Sequence, residues 1–442
     1  EGGENRGRYS AIGMSPDLIW KCKNGVSETA FPDKNNIKFV KDEEMPLKSL
    51  RNLINNSKID IPDNLPPLSA GLFGYIGYDM VSYFENISIK NADPLDLPET
   101  ILIRPSLICI FDRLKDEFIL ITPVRPKLGV TAEQAWNKGT KIIANAVNEL
   151  NSGLDHSNLP VQKDFHQDNN APSNLTKSDF YSSVEKAKEY IKSGDVYQVV
   201  LSQRFEIPFQ KSSISFYRSL RRLNPSPFLF HFNFGDFYVV GSSPEILVRL
   251  RDNECTIRPI AGTRPRGKNK IEDLKLKEEL LNDPKERAEH LMLLDLGRND
   301  VGRVSKPGTV EVTESFSVEM YSHVMHIESE VKGELRGELD SLDALIAGFP
   351  AGTVSGAPKI RAMQIIEELE AERRGIYSGA VGYFSASGDL DTCIALRTGI
   401  IKDGKLYVQA GGGIVHDSTN EGEELETRNK AKALIRAAEL AD

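Results

Sequence analysis

The chain has 442 residues, 40% hydrophobic and 27% charged, which is the profile of an ordinary folded protein too long for one small core. A net charge of −9 without any Lys/Arg block excludes a general phosphate-backbone binder, so no nucleic acid is expected as a partner. No apolar run approaches the ~18 residues of a membrane span, and no signal-like segment opens the chain; a cytoplasmic location away from membranes is expected. Cys22, Cys109, Cys255 and Cys393 are scattered without CxxC or metal spacing and read as reduced thiols. Because the first residue is Glu1, residues upstream of it are expected.

In chain order, residues 118–122 read as a strand and 132–150 as a helix, completing an N-terminal α+β domain over 1–150. Residues 151–176 are rich in Asn, Asp, Ser, Pro and Gln with little apolar periodicity, the composition of a flexible linker. A second domain is expected over 177–442. Phe180, Val184, Ala187 and Ile191 recur at helical spacing and stop at Gly194. Strands are expected at 236–240 and 245–250, around Gly241, and at 380–385 and 392–401, flanking a Ser387-Gly388-Asp389 turn. Asp403-Gly404 marks a two-residue hairpin into Leu406. Helices are expected at 271–296, 358–370 and 420–440. Hairpin-linked sheets with helices in blocks indicate α+β rather than a doubly wound fold.

Gly71, Gly74 and Gly77 do not form a dinucleotide fingerprint. Residues 348–359, GFPAGTVSGAPK, lack the Gly-Lys-Ser/Thr ending of a phosphate loop. Pro358 suits a first helical position, with Ser355-Gly356 as cap, and free amides there favour an anion. A tight loop entering a helix explains the segment equally well. Glu286 and Glu289, and Glu423 and Glu426, are carboxylate pairs at i, i+3, each on one helix face. Two such faces brought together make an oxygen site for a hard cation such as Mg2+, although spacing alone favours solvated helix faces. His323 and His326 lie in a segment, 317–331, that alternates like a strand. They point to opposite faces, so each acts alone if it acts at all. No Ser or Cys nucleophile elbow is present.

Four segments carry a family resemblance: PIAGTRPRG at 259–267, GFPAGTVSGAPK at 348–359, DTCIALRT at 391–398 and AGGGIV at 410–415. In this order they resemble the chorismate-utilising enzymes, and among these the large subunit of anthranilate synthase. The similarity runs from Gly2-Gly3 and Gly7-Arg8-Tyr9-Ser10 to the final helix. It implies an α+β fold of two interleaved layers, with antiparallel sheets packed as a sandwich and flanked by helices. It also implies a Mg2+-dependent lyase of tryptophan biosynthesis. Such an enzyme adds ammonia to chorismate at C2, expels the C4 hydroxyl and eliminates pyruvate to leave anthranilate.

By the same resemblance, Glu289 and Glu426 ligate Mg2+ with Glu286 and Glu423 in support, and the metal orients the ring carboxylate. Arg397 and Tyr377 hold the enolpyruvyl carboxylate, which a guanidinium fork fits. Gly411, Gly412 and Gly413 meet the ring carboxylate, and Gly262, Thr263 and Lys430 join the substrate site. Glu245 is the general acid for the C4 hydroxyl, which requires a raised pKa. His326 belongs to the elimination half of the reaction, and Thr353 to the catalytic set. Asn224, Pro225, Ser226, Phe228 and Leu229 resemble the second-half contribution to a tryptophan feedback pocket. The N-terminal domain and an element upstream of Glu1 would complete that pocket. Ammonia would come from a glutamine amidotransferase subunit, component II.

Two positions bear on the subfamily. Ala261 stands where aminodeoxychorismate synthases often carry a nucleophilic Lys, and Gln198 where isochorismate and salicylate synthases carry a water-activating Lys. Both choices favour ammonia chemistry ending in anthranilate. The aminodeoxychorismate synthase subunit is the near alternative and an isochorismate or salicylate synthase a more distant one. A non-catalytic chorismate- or tryptophan-binding regulator is the alternative of another class.

Overall fold

A computed structural model describes residues 7–32, 37–152, 171–321 and 324–441. The described residues fall into two compact units: one within Glu1–Gly74, Thr100–Gln167 and Tyr383–Asp389, the other within Tyr75–Glu99, Asp168–Gly382 and Leu390–Asp442. Each unit therefore takes in a short segment from the sequence territory of the other. Most of the segment expected as a linker, 153–170, lies outside the described residues.

The first unit carries β1 (Tyr9–Lys23), β2 (Val26–Ala30), β3 (Phe39–Lys41), α1 (Pro46–Asn56), the first residues of β4 (Gly71–Ile76), β5 (Thr100–Asp112), β6 (Glu117–Ile121) and α2 (Ala132–Asn151). β5 pairs with both β6 and β1, and β2 continues from β1 to β3, all antiparallel. The buried Trp20 indole donates to Ser49 Oγ at 2.9 Å, fastening α1 to β1. Thr131 and Gln134 form a reciprocal capping box at the start of α2, which satisfies two otherwise orphaned donors. Leu107, Cys109 and Ala146 bury the face of α2 on β5.

The second unit continues with α3 (Lys177–Lys192), β7 (Gln198–Pro208), α4 (Ser213–Leu223), β8 (Phe228–Asn233), β9 (Phe237–Ser243), β10 (Ile246–Arg251), β11 (Glu254–Ile257) and β12 (Ile260–Pro265). Next come α5 (Lys270–Asn282), α6 (Pro284–Gly302), β13 (Glu311–Met320), β14 (Val324–Glu334), α7 (Ser341–Gly348), α8 (Gly352–Ser355), β15 (Gly356–Ala357) and α9 (Lys359–Leu369). β16 (Ala380–Ser385) passes into the first unit at Tyr383, and β17 (Leu390–Ile394), β18 (Thr398–Lys402), β19 (Lys405–Ile414) and α10 (Asn420–Glu439) complete the chain.

One sheet of this unit runs β15-β7-β19-β18-β9-β8. α4 and α10 cover it through Phe216, Leu220, Ala431 and Leu434 against Phe205, Val240, Leu406 and Val408. The other series runs β12-β14-β11-β10-β17, with β13 on β14. α5 and α6 pack there through Leu280 against Met325 and Ile327, and through Leu294 and Val301 against Val331. The α+β architecture expected from the alternating patterns is present. Each helical layer gains its stability by burying an apolar face on a sheet.

Four boundaries differ from the sequence reading. The helix expected over 271–296 is two helices, because Pro284 has no N–H to continue the first. Asp283 caps the second by accepting from the N–H groups of Lys285 and Glu286 at 2.9 and 3.2 Å. The strand expected over 392–401 breaks at Arg397, whose φ of 48° lies outside the extended region. The alternating segment 317–331 is a hairpin, β13 into β14, and His323 lies outside the described residues. Pro358 is the N-cap of α9 rather than its first residue. The proposed cap residues do other things: Ser355 ends α8, and Gly356-Ala357 extends along β7 opposite Val199 and Gln198.

Candidate active site

Two acidic helices enter the site from different sheets of the second unit. α6 presents Glu286 and Glu289. Arg264 holds Glu286 through an Nη1–H bond to Oε1 at 2.9 Å. Glu289 is half-buried and accepts from Gln198 Nε2 on β7 at 3.3 Å. Burial raises the Glu289 pKa; the Gln198 bond opposes this, and the nearby charges of Glu286 and Glu426 add to it. α10 starts at its Thr419 cap, whose Oγ1 accepts from Gly422 N–H, and presents Glu423 and Glu426. Glu426 pairs with Lys430 at 2.7 Å, and Lys430 donates to the Gly411 carbonyl at 2.9 Å. Glu423 is buried, and its Oε2 has no hydrogen-bond partner among the described residues.

The Gly411–Gly413 run brings these pieces to one place. It lies on β19 opposite Ser202, Leu201 and Val200 of β7. A Cβ on Gly412 would stand 2.5 Å from Glu423 Oε2, and one on Gly411 would stand 2.7 Å from Tyr377 Oη. At Gly413 it would collide with the Gln198 amide. Glycine is needed here for close approach, since no side chain fits between the strand and the groups above it.

Among the described residues, no three acidic, histidine or cysteine side chains converge into a closed metal cage. Mg2+ does not need one: it binds through one or two carboxylates and keeps waters or ligand oxygens for the rest. The donor set is hard oxygen, and the buried Oε2 of Glu423 has no hydrogen-bond partner among the described residues, an unmet polar contact that a bound cation would supply. The residues present fit the group.

Across the site stands Glu245, just after β9 and only 6% exposed. Thr353 of α8 donates to its Oε1 at 3.0 Å. Burial raises the Glu245 carboxyl to about 8. The Thr353 and Ile260 hydrogen bonds and the Arg397 charge pull the other way, while Glu328 adds to the rise. Arg397 occupies the break between β17 and β18, near Tyr377, Glu245 and Glu426. Burial lowers its pKa, and those three groups offset part of that effect. It makes no ion pair among the described residues. A desolvated guanidinium without a protein carboxylate in contact is suited to an anionic ligand.

His326 on β14 lies opposite Thr263 of β12, where the pairing shifts register at Gly262. Gly262 has a φ of 64°, and its carbonyl meets His326 Nδ1 at 3.0 Å. A carbonyl only accepts, so Nδ1 carries the hydrogen and Nε2 keeps a lone pair. Burial keeps the ring neutral by lowering its pKa; the Gly262 bond opposes this shift and the Arg397 charge adds to it.

Asn224, Pro225, Ser226, Phe228 and Leu229 form the C-cap of α4 and the start of β8. Phe228 and Leu229 pair with Ser243 and Ser242, and the Ser242 hydroxyl donates to the Asn224 carbonyl. This segment is thus tied to the strand that leads into Glu245. Sequence reasoning missed the buried Arg374–Glu370 and Lys359–Asp300 pairs. Arg374 lies in a charged run, Glu372-Arg373-Arg374, that looks like ordinary surface. The one available signal was its position before the turn glycine Gly375.

The fold and these side chains define a chorismate-binding enzyme. A family model described as chorismate binding enzyme matches residues 9–436, and the chain belongs to that family. Within it, the chain is 53% identical over 446 residues to anthranilate synthase component 1 of Cereibacter sphaeroides, covering 100% of this chain and 88% of that protein. It is 47% identical over 444 residues to anthranilate synthase component 1 of Aquifex aeolicus, with the same coverages. The crystal structure of anthranilate synthase component I from Streptococcus pneumoniae TIGR4 matches with a TM-score of 0.86 at 39% identity, over 97% of this chain and 92% of that one.

Proposed function

We propose that this chain is the chorismate-converting component of an anthranilate synthase, a lyase that turns chorismate and ammonia into anthranilate, pyruvate and water. The observation that carries this reading is Glu245: a buried carboxyl, raised to about 8 and held by Thr353, in a chain with full-length likeness to component 1 proteins. It is protonated at neutral pH and donates to the departing C4 hydroxyl, which leaves as water. Arg397 beside Tyr377 offers a bidentate fork to the enolpyruvyl carboxylate. The neutral His326, with its Nε2 lone pair, takes the C2 ring proton as pyruvate departs.

Glu289 and Glu426, supported by Glu286 and Glu423, would hold Mg2+, which when bound neutralises and orients the ring carboxylate. Gly262, Thr263, Gly411, Gly412, Gly413 and Lys430 line the remaining contacts. Ammonia would come from a separate glutamine amidotransferase: all four cysteines are buried, and burial raises the Cys109, Cys255 and Cys393 thiols, which disfavours the thiolate that glutamine cleavage needs. The α4–β8 corner at Asn224, Ser226 and Leu229 would take tryptophan as a feedback inhibitor, acting through β9 on Glu245. The cytoplasm is the location that goes with this reading, and no described helix is long and apolar enough to cross a membrane.

The test is to incubate the chain with chorismate, Mg2+ and ammonium, with and without tryptophan. Pyruvate and fluorescent anthranilate should form together, and Glu289→Gln or Glu426→Gln should abolish the Mg2+-dependent rate. A product that keeps an amine at ring position C4 would overturn the assignment.

A further inference from the structure

Arg374 is buried, and every one of its donors is used. Nε donates to Glu370 Oε2 at 3.0 Å, and Nη2 to Glu370 Oε1 at 2.7 Å and to the Val200 carbonyl at 2.6 Å. Nη1 donates to the Val354 carbonyl at 2.7 Å and to Ser378 Oγ at 3.2 Å. Those are the five N–H groups of a guanidinium, all spent on protein acceptors. Its plane also lies near the rings of Tyr78 and Tyr377, at 4.9 and 5.5 Å. The partner Glu370 is fixed in turn, since Oε1 accepts from both the N–H and the hydroxyl of Ser202 at 2.8 Å.

The acceptors belong to three separately encoded pieces of the site. Val200 is paired with Gly413 on the glycine strand. Val354 follows Thr353, the residue that donates to Glu245. Ser378 follows Tyr377, which stands over Gly411. We propose that Arg374 is a positioning residue of this site, a single rigid fork that sets the spacing of the glycine strand, the Thr353 turn and the Tyr377 turn. The proposal rests on the reading of this site as catalytic. Lysine has the charge but only three donors and no planar fork, so it cannot replace the five bonds that Arg374 makes.

The experiment compares Arg374→Lys and the milder Ser378→Ala, which removes one acceptor, with the wild-type chain. Rates are measured per folded molecule with ammonium as the nitrogen source. Arg374→Lys should lower kcat/KM about 100-fold, the scale of a 1 Å misplacement, and Ser378→Ala should lower it less. Losing the Thr353 bond, which favours ionised Glu245, should move the basic limb of the pH–rate profile to higher pH. Amide hydrogen exchange should quicken in residues 199–203, 353–357 and 376–379 in Arg374→Lys and not across the rest of the chain.

A structural role alone would reduce the folded fraction and leave the limb in place. An unmoved limb with an unchanged rate per folded molecule, or exchange that rises evenly along the chain, overturns the proposal. If wild type itself does not convert chorismate, the functional reading fails, and the exchange pattern alone decides the role of Arg374.

Discussion

Replacing Gly412 by alanine tests the crowding at the centre of the site. The added methyl would stand 2.5 Å from Glu423 Oε2, about 0.9 Å short of the 3.4 Å at which ordinary contact begins. Gly412 does not have a positive φ, so the backbone accepts alanine without strain. The obstacle is the far end of a flexible side chain, and it yields by moving the carboxylate away. The stability change should therefore stay within about 1 kcal/mol. The displaced Glu423 leaves its place beside Glu426, and a shift of about 1 Å at a catalytic constellation costs about 100-fold in rate. Anthranilate fluorescence would be followed against Mg2+ concentration, with thermal unfolding measured on the same samples. Gly337→Ala, which adds a methyl into open space, serves as the control. A Gly412→Ala enzyme with the wild-type rate and Mg2+ midpoint would refute the idea that Glu423 is poised over this glycine for function.

Glu245→Gln should lower kcat by about 10²–10⁴, the range for a lost general acid, with little change in KM. In wild type the active form of Glu245 is the acid, so the rate should decline as pH rises through about 8; a profile flat across that region would count against the role. His326→Asn should let chorismate consumption outrun pyruvate release, because the proton-accepting Nε2 is lost, and matched stoichiometry would argue otherwise. Lys359→Met leaves Asp300 buried without its partner, 2.7 Å away in the native chain. It should destabilise the fold by about 3–5 kcal/mol, read from the denaturant midpoint, with Lys359→Met/Asp300→Leu recovering much of the loss.

The candidate site residues were legible through motifs shared with a family rather than through residue type alone. Glu245, Glu289, Arg397 and Glu426 take their roles from the family resemblance, because the spacing of the glutamates by itself favours solvated helix faces, and all four lie in the second unit. The hairpin at Asp403-Gly404 was equally plain, because turn chemistry acts over four residues. Boundaries were harder. The split at Pro284 and the break at Arg397 depend on local backbone choices that a run of apolar residues conceals. Arg374 and Lys359 were invisible for a different reason: a charged residue in sequence looks solvated, and only burial against a distant partner shows otherwise.

The sequence by itself determined which groups are present: carboxylates at helical spacing, a histidine in an alternating segment, glycines without side chains and a chain long enough for two cores. These follow from residue type and short-range periodicity, which need no partner to be read. Tertiary structure decided how those groups behave. Burial, against the pull of the Thr353 bond, turns Glu245 from an ordinary carboxylate into an acid at neutral pH, and packing of α10 on β19 sets Glu423 over Gly412. Desolvation and close approach are properties of the packed chain, so no reading of neighbours in sequence supplies them.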